Sequence, residues 1–278
     1  MNVLSLFDGM SCGQIALNRA GIKYDNYYAS EIDKHAIKVT MANYPETIQL
    51  GSITEVKAEN LPKIDLLLGG SPCQGFSFAG KQLNFEDPRS ILFFEFVRLL
   101  KECKPKYFLL ENVKMKKEYQ DIISEHLGVE PMAINSNNRI PANRNRLYWT
   151  NIKIEDFPFT SETVESFLCF TGEVAGTIGT SASRIVKKMD TFGALTATMW
   201  KGIRAAGRPI VIKPYCIGKH IDELKKDVDY RMLTPVVCER LQTVPDGYTN
   251  HVSNTQRYKM LGNGWTVDVI THIFSGMQ

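Results

Sequence analysis

The sequence is poor in the patterns that hold metals, form disulfides or cross membranes. Its six cysteines include no CxxC pair and its five histidines are not clustered, which argues against a zinc site and a disulfide framework. No apolar run approaches the length of a membrane span. The N-terminal residues enter a strand-like pattern at once, which predicts no signal peptide. We therefore expect a cytoplasmic protein with free thiols, no bound metal and no membrane contact.

The remaining composition is that of an ordinary globular chain. The chain has 278 residues, of which 44% are hydrophobic and 23% charged, with a net charge of +3. This length suits one large domain, or one domain and a small lobe. No internal repeat or low-complexity segment is visible.

The first half of the chain alternates β-rich runs with helical patterns. Strands are predicted at 3–7, 27–32, 64–68, 106–110, 132–135 and 147–152, and helices at 14–20, 34–43, 90–103 and 119–126. The third run is typical of a strand buried on both faces. The alternation predicts the α/β class, with a mostly parallel sheet covered by helices on both faces.

The part from about 157 to 228 has a different character. It is richer in Gly, Thr and Ser without a clean helical period, which predicts a small lobe of short strands and loops. Its stretch 184–213 holds seven basic residues against the single acid Asp190. The seven are Arg184, Lys187, Lys188, Lys201, Arg204, Arg208 and Lys213. From the residues alone, this stretch is either a solvated face or a surface for phosphates. Helical patterns return after Tyr230, with a helix at 235–242 and another after Gly264.

Four groups of residues follow predicted strands, at the sheet edge where α/β proteins bind ligands. FDGMSCG at 7–13 forms a glycine-containing turn after the first strand, and Glu31 follows the second. Each of these two features either binds a cofactor or forms an ordinary turn or helix cap. Cys73, in GGSPCQGFS after the third strand, is either a packed thiol or a nucleophile. Glu111 follows the fourth strand and is either a solvent-facing carboxylate or a proton donor.

The order of these features resembles that of the DNA cytosine-5 methyltransferase family, both its bacterial and phage enzymes and the catalytic domain of animal de novo methyltransferases. The motifs are FDGMSCG (7–13), SE (30–31), GGSPCQGFS (69–77), DPRSILFFEFVRLL (87–100), ENV (111–113), NRNR (143–146), RMLTPVVCERLQ (231–242) and MLGNGWTVDVI (260–270). The resemblance covers about residues 1–155 and 229–278. It implies a Rossmann-like S-adenosylmethionine-dependent methyltransferase fold, with a mixed seven-stranded sheet and a small target recognition lobe.

The resemblance implies covalent catalysis on a flipped cytosine. Cys73 would add to C6 of the base and so make the poorly nucleophilic C5 enamine-like. Glu111 would bind N3 and the exocyclic amine and donate a proton as the adduct forms. Arg146, in the pair Arg144-x-Arg146, would support the base and its oxygen, and both arginines are assigned to catalysis. The methyl group would pass from S-adenosylmethionine to C5, leaving S-adenosylhomocysteine.

The same motifs imply the residues that bind the cofactor and the DNA. Those for the cofactor are Phe7, Asp8, Gly9 and Gly13 around its methionine part, Glu31 on the ribose, Ile32 and Ile53 against adenine, and Pro72, Leu92, Asn263 and Trp265. Those for DNA are Gln74, Ser77, Arg184, Lys187, Lys188, Trp200, Lys201 and Arg204. The chain departs from the family pattern at Ser11 and Cys12, where further glycines are usual, and at Ser52, where an acid is usual.

The implied organisation is a catalytic domain of residues 1–156 completed by 229–278, with a target recognition lobe at 157–228. The implied partner is duplex DNA, bound by a monomer near the nucleoid of a bacterial or phage-infected cell. Alternatives are a tRNA cytosine-5 methyltransferase, a catalytically silent DNA-binding regulator and a variant that transfers a modified one-carbon group. The standard PCQGFS segment favours DNA, while intact Cys73, Glu111 and Arg146 favour an active enzyme.

Overall fold

The structure, a computed structural model, describes residues 1–71, 88–156, 163–168, 174–178, 186–192, 195, 197 and 209–277. The chain divides into two compact units. The first comprises Met1–Ile134, Asn145–Phe157 and Val269–Gln278, and the second comprises Asn135–Arg144 and Pro158–Asp268. The predicted grouping of 229–278 with 1–156 as a catalytic domain, apart from a recognition lobe at 157–228, stays a prediction.

The described residues form α-helices and mostly short strands. The helices are α1 (Cys12–Arg19), α2 (Lys34–Asn43), α3 (Pro88–Cys103), α4 (Lys117–Leu127), α5 (Val164–Phe167), α6 (Pro235–Leu241), α7 (Asn254–Asn263) and α8 (Val267–Phe274). The strands are β1 (Asn2–Leu6), β2 (Asn26–Ser30), β3 (Ile48–Gln49), β4 (Leu66–Gly69), β5 (Tyr107–Val113), β6 (Met132–Asn135), β7 (Asn145–Thr150), β8 (Val174–Ile178), β9 (Val186–Lys188), β10 (Pro209–Ile212) and β11 (Tyr230–Met232). Within these described helices, none is long and apolar enough to cross a membrane.

The large sheet has seven strands in the order β3-β2-β1-β4-β5-β7-β6. Strands β3, β2, β1, β4 and β5 are parallel to one another, and β7 is antiparallel to β5. The predicted mixed seven-stranded α/β architecture is therefore confirmed. The parallel strands place their carboxyl ends at one edge of the sheet, which is where ligands bind in such folds.

Strand β5 continues three residues beyond its pairing with β4. The parallel pairing ends at Gly69↔Leu110, whereas antiparallel β7 continues the ladder to Val113↔Arg146. The sequence predicted strands at 106–110 and 147–152, so that Glu111 would follow one strand and Arg146 would precede the other. Both residues are instead strand residues, because pairing with β7 alone sustains the ladder there.

The core of the first unit lies between the sheet and the helices that pack on it. One apolar cluster joins Leu67 of β4, Phe96 of α3, Ile123 of α4 and Trp149 of β7. All of β4 is buried, as predicted for the third strand. The fully buried Trp149 indole donates its N–H to Ser124 Oγ at 3.0 Å, which satisfies the one polar atom that its burial removes from water.

Helix ends coincide with local capping signals. The Asp33 carboxylate accepts a hydrogen bond from the His35 N–H at 2.9 Å and so caps α2. Helix α4 ends at Leu127 and is capped by Gly128, whose φ of 71° suits glycine. Thr234 caps α6 by accepting from the Val237 N–H at 3.3 Å, and Pro235 is the first helical residue, as predicted.

The second unit contains a smaller antiparallel sheet. Its strands lie in the order β11-β10-β8-β9, and the short strands expected between 157 and 228 include β8, β9 and β10. Val186, Ile210 and Ile212 of this sheet form a small apolar cluster with Cys216 and Ile221. The unit therefore has a core of its own.

Helix α7 is not predicted by the sequence, because its inward contacts include an ion pair instead of a continuous apolar stripe. Glu239 of α6 is fully buried and accepts from Arg257 Nη2 of α7 at 2.9 Å. It also accepts from the N–H groups of Gly247 at 2.7 Å and Thr249 at 2.9 Å, and from the Thr249 hydroxyl. The buried carboxylate is thus well satisfied.

This network predicts a large stability difference between two acidic residues. Glu239→Ala should lower the free energy of unfolding by about 3–5 kcal/mol, because it leaves the Arg257 guanidinium buried without its partner. Asp246→Ala is the matched control, since it removes the partner of Arg240 in the same helix at an exposed site, where about 0–1 kcal/mol is expected. Urea unfolding followed by circular dichroism measures both. Equal losses of unfolding free energy in the two variants would show that burial of the Glu239–Arg257 pair does not add to its contribution.

Candidate active site

The loop between β1 and α1 has an unusual backbone. Phe7, Gly9 and Ser11 have φ values of 57°, 59° and 60°, a left-handed region that glycine adopts without strain and other residues rarely adopt. Ser11 stands where the family pattern has a glycine, and it keeps the left-handed conformation. Its hydroxyl donates to the Asp8 carboxylate, and its N–H donates to the Asp8 carbonyl at 3.1 Å. These bonds hold the left-handed conformation of Ser11 without a glycine at that position.

Glu31, at the end of β2, is fixed by backbone donors. One carboxylate oxygen accepts from the Gly9 N–H at 2.8 Å, and the other accepts from the N–H groups of Ile32 and Asp33 at 2.8 Å each. The carboxylate therefore joins the ends of β1 and β2. A carboxylate held in this position can accept hydrogen bonds from ribose hydroxyls.

Asp8 lies in a partly enclosed polar environment. Its carboxylate accepts from the Tyr27 hydroxyl at 2.8 Å, in addition to Ser11. Burial raises the pKa of Asp8 from 3.8 to about 6, with a further contribution from the nearby charge of Glu31. Hydrogen bonds from Ser11, Ser5 and Tyr27 oppose that increase. The same surroundings raise the pKa of Tyr27, through its burial first and then the charge of Asp8.

The residues around this loop leave space and an apolar surface for a ligand. A Cβ at Gly13 would lie 2.6 Å from the Tyr27 hydroxyl and 2.9 Å from Leu68 Cδ1, so glycine lets α1 approach the sheet. A Cβ at Gly9, by contrast, would have no atom of the described residues within 4 Å beyond those of its chain neighbours. The Ile32 side chain is 78% exposed beside Glu31. An exposed aliphatic side chain next to a fixed carboxylate fits a nucleoside, which requires an apolar contact and a hydroxyl partner.

The other predicted adenine and pocket residues of the first unit are less accessible. Ile53 is buried in the apolar core, and Leu92 is half-buried against the same core. Ser52, which replaces the acid usual in the family, accepts from the Thr54 N–H at 3.4 Å and caps the short turn Ile53–Glu55. The chain therefore uses this position for capping.

Glu111 and Arg146 form an ion pair across β5 and β7. Arg146 Nε lies 3.0 Å from Glu111 Oε1, and the carboxylate residue is only 8% exposed. In the ladder Glu111 is opposite Tyr148 and Arg146 is opposite Val113, so the two residues are diagonal neighbours on one face of the sheet. Arg146 Nη1 also donates to the Asn145 carbonyl at 2.8 Å. The sequence predicted both residues for catalysis, and the structure brings them together.

Asn112, between them in sequence, connects β5 to the segment that leads to Cys73. Its side-chain amide donates to Ser71 Oγ at 3.0 Å, and its Oδ1 accepts from the Val113 N–H at 2.8 Å. Both Asn112 and Ser71 are buried. Sequence reasoning assigned neither residue a role, although Asn112 lies inside the ENV motif. Their hydrogen bond fixes the chain two residues before the predicted nucleophile.

Arg144, the other arginine of the pair, contacts different partners. Its guanidinium is buried and donates to the carbonyls of Gly262 at 3.2 Å and Gly264 at 2.6 Å. It belongs to the second unit, as do the predicted cofactor residues Asn263, which is exposed, and Trp265, which is half-buried. The two arginines therefore have separate environments.

Several predicted site residues lie outside the described part of the chain. They are Pro72, Cys73, Gln74, Ser77, Arg184, Trp200, Lys201 and Arg204. The backbone of Lys188 is described in β9, and the Lys187 side chain on the same strand is exposed. Among the described residues, no group of three or more His, Cys, Asp or Glu side chains is arranged to hold a metal ion.

Comparison with known protein families gives a match over nearly the whole chain. The family model described as C-5 cytosine-specific DNA methylase matches residues 1–167 and 171–278.

Individual relatives match over different lengths. The orphan methyltransferase M.SPRI of Bacillus phage SPR is 39% identical over 166 residues, which cover 55% of this chain and 38% of that relative. The match thus spans less than half of the phage protein. The type II methyltransferase M.HhaI of Haemophilus parahaemolyticus is 29% identical over 308 residues, which cover 98% of this chain and 93% of that relative.

A solved structure shares the fold. The methyltransferase EhMeth of Entamoeba histolytica superposes with a TM-score of 0.78 at 18% sequence identity, covering 100% of this chain and 99% of that one. At this identity the likeness concerns the fold alone.

The raised pKa of Asp8 predicts how stability depends on pH. Between pH of about 4 and 6 the folded protein keeps a proton on Asp8 that the unfolded chain has lost. Raising the pH through this window therefore lowers the free energy of unfolding. Asp8→Asn has no such proton and should lack this component.

Urea unfolding of both proteins at a series of pH values tests this prediction. The stability of the wild type minus that of Asp8→Asn should fall from about pH 4 to pH 6 and then become constant. A difference that stays constant or rises over this window would contradict the assignment.

Proposed function

Because the chain belongs to the family of C-5 cytosine-specific DNA methylases, we propose that it transfers a methyl group from S-adenosylmethionine to C5 of a cytosine in duplex DNA. The observation that carries this proposal is the ion pair of Glu111 and Arg146, 3.0 Å long, at the end of β5. Between them in sequence, Asn112 anchors the chain just before Cys73. A carboxylate, a guanidinium and a thiol are the groups that covalent attack on cytosine requires.

Cys73 is the nucleophile of the proposed reaction. Its thiolate adds to C6 of the cytosine, and the displaced electron pair is delocalised over C5 and N3. C5 thereby becomes an enamine-type carbon that can attack a methyl donor. Splitting one difficult substitution into addition, transfer and elimination is the advantage of covalent catalysis.

Glu111 is the general acid that protonates the base. It donates a proton to N3 as the bond between sulfur and C6 forms, and it accepts a hydrogen bond from the exocyclic amine. Arg146 orients the Glu111 carboxylate through a charge-assisted hydrogen bond and supports the base oxygen. The position of both residues in paired strands, 3.0 Å apart, supports such fixed geometry.

The proposed cofactor site is the edge formed by β1 and β2. S-adenosylmethionine would supply the methyl group as an electrophile on its sulfonium. Glu31 would hold the ribose, Ile32 would contact adenine, and the loop from Phe7 to Gly13 would surround the methionine part. The space at the side-chain position of Gly9, which is open among the described residues, and the exposure of Ile32 support this assignment.

The reaction closes with elimination. A base removes the proton from C5, the electron pair restores the double bond between C5 and C6, and the Cys73 thiolate leaves. The N3 proton returns to Glu111, which regenerates the acid and releases neutral 5-methylcytosine. The target carbon is inaccessible inside a duplex, so the cytosine must be flipped out of the helix. The basic residues at 184–213 would bind DNA phosphates. Such contacts position the protein on the duplex but do not recognise the base sequence.

One assay tests the proposed function. The protein is incubated with S-adenosylmethionine carrying a labelled methyl group and with either duplex DNA or tRNA, and the bases of each product are analysed. We expect label in 5-methylcytosine from DNA. Label only in tRNA would identify an RNA enzyme instead. No label in either, with DNA binding retained, would identify a silent DNA-binding protein.

Cys73→Ser should abolish methyl transfer and leave duplex binding nearly intact, because the change removes the thiolate and little volume. Cys103→Ser is the matched control. Burial raises the pKa of the Cys103 thiol, so this residue should be unreactive. Methyl transfer and DNA affinity are measured for both variants. Near-normal transfer by Cys73→Ser would show that the covalent mechanism is wrong for this protein.

Glu111→Gln should reduce methyl transfer by roughly 100- to 10,000-fold, the usual contribution of a general acid. The amide keeps the shape of the side chain but has no transferable proton. Glu118→Gln, at an exposed site of α4, is the matched control and should retain full activity. Single-turnover rates with saturating cofactor measure the effect. A variant that loses only cofactor affinity would remove Glu111 from the proton-transfer step.

A further inference from the structure

A series of buried hydrogen bonds lies behind the loop that follows β1, and all of its members belong to the first unit. The Tyr27 hydroxyl of β2 donates to Asp8 Oδ1 at 2.8 Å, and the Ser11 hydroxyl donates to Asp8 Oδ2. Tyr27 is 2% exposed and Ser11 is fully buried. A Cβ at Gly13 would lie 2.6 Å from the Tyr27 hydroxyl, so glycine at this position leaves room for the donor. Two buried hydroxyl groups thus hold both carboxylate oxygens of Asp8.

Gln14 of α1 extends this series of hydrogen bonds. Its Nε2 donates to Ser11 Oγ at 3.1 Å and to Thr47 Oγ1 at 2.8 Å, and its Oε1 accepts from the Tyr24 hydroxyl at 2.9 Å. Because the Ser11 hydroxyl donates to Asp8, its oxygen is left to accept from Gln14. The bonds from Tyr24 through Gln14 and Ser11 therefore run in one direction and end at the Asp8 carboxylate, which they hold in one orientation.

The order of the strands places Asp8 between two parts of the proposed site. Strand β1 lies between β2, which leads to Glu31, and β4, which leads to Cys73, and β5 with Glu111 is next to β4. A cofactor that has its ribose at Glu31 and transfers its methyl group near β4 and β5 must cross the end of β1. Neighbouring strands are about 4.8 Å apart, so the methionine part of the cofactor, which carries the positive charges, is the part that reaches this position.

We infer that Tyr27 and Gln14 are positioning residues, which hold the Asp8 carboxylate in place for the positively charged methionine part of the cofactor. This inference rests on the proposed function, since it needs that cofactor to be bound. An ionised carboxylate is the partner that such a cation requires. Burial raises the pKa of Asp8, and the hydrogen bonds from Ser11 and Tyr27 oppose this increase. The same bonds therefore orient the carboxylate and favour its charged form.

The test measures binding of S-adenosylmethionine by calorimetry in the absence of DNA, so that no reaction occurs. Tyr27→Phe and Gln14→Leu should each weaken this binding by about two- to tenfold, the usual effect of one lost hydrogen bond. Tyr28→Phe is the matched control, because it removes a hydroxyl from the next residue of the same strand. The Tyr28 hydroxyl forms no hydrogen bond with any residue that the structure describes. This control should bind as the wild type does.

Two further measurements show whether the effect acts through Asp8. In the Asp8→Asn background, Tyr27→Phe should change the affinity for S-adenosylmethionine by less than about twofold, since the charge that it positions is gone. Methylthioadenosine keeps the adenosine part of the cofactor and carries neither the sulfonium nor the ammonium group. Tyr27→Phe should bind this compound as the wild type does. A residue that only stabilises the fold would show neither pattern.

The outcomes separate the inference from the proposed function. If the wild type does not bind S-adenosylmethionine, the proposed function fails. If the wild type binds it and Tyr27→Phe binds it equally well, the inference is overturned. The inference also fails if Tyr27→Phe weakens binding by the same factor in the Asp8→Asn background. Where methylthioadenosine binds too weakly to be measured, this double variant decides.

A milder variant covers the case in which Tyr27→Phe or Gln14→Leu does not fold. Tyr24→Phe, at a half-buried site, removes the hydroxyl that donates to Gln14. It should weaken S-adenosylmethionine binding by about two- to threefold, and this effect should also disappear in the Asp8→Asn background. A lowered urea midpoint with unchanged cofactor affinity would show that these residues serve stability alone and would overturn the inference.

Discussion

The pairing of β7 with β5, which continues three residues past the last pair of β4 and β5, is the constraint on which the candidate active site depends. Without it, Glu111 to Val113 would be a loop, and loops place side chains less accurately than paired strands do. The antiparallel direction of β7 makes Arg146 a diagonal neighbour of Glu111. One structural element thus positions both the carboxylate and the group that orients it.

The loop after β1 contains a strained backbone that hydrogen bonds to two carboxylates stabilise. A left-handed conformation at a residue such as Ser11 costs about 1–2 kcal/mol. The hydrogen bond from its hydroxyl to Asp8 offsets part of this cost, and Glu31 holds the neighbouring Gly9 N–H. The arrangement requires Asp8 to lie partly buried beside a second carboxylate, and this is why its pKa rises to about 6. The geometry of the loop and the titration of Asp8 therefore have one cause.

Much of the fold could be predicted from the sequence, because strongly patterned segments decide their own structure. The helix at 34–43 and the strand at 132–135 have the predicted bounds, and the family resemblance is confirmed by the family match. The features that were predicted wrongly or missed depend on contacts between residues distant in sequence. The ends of β5 and β7 are set by each other, and helix α7 is held by the ion pair of Arg257 and Glu239. Local patterns contain neither interaction.

The environments of Arg144 and Arg146 illustrate the same limit within one motif. A spacing of two residues suggests that both side chains lie on one face of a strand. However, β7 begins at Asn145, after Arg144. The Arg144 N–H donates to Asn135 Oδ1 at 3.0 Å, and its carbonyl accepts from the Ser136 N–H at 3.2 Å. The backbone of Arg144 is therefore hydrogen-bonded within the Asn135–Arg144 segment and lies outside the ladder of β5 and β7. Because the strand begins between the two arginines, alternation does not relate their side chains, and only the one inside the ladder is directed to Glu111.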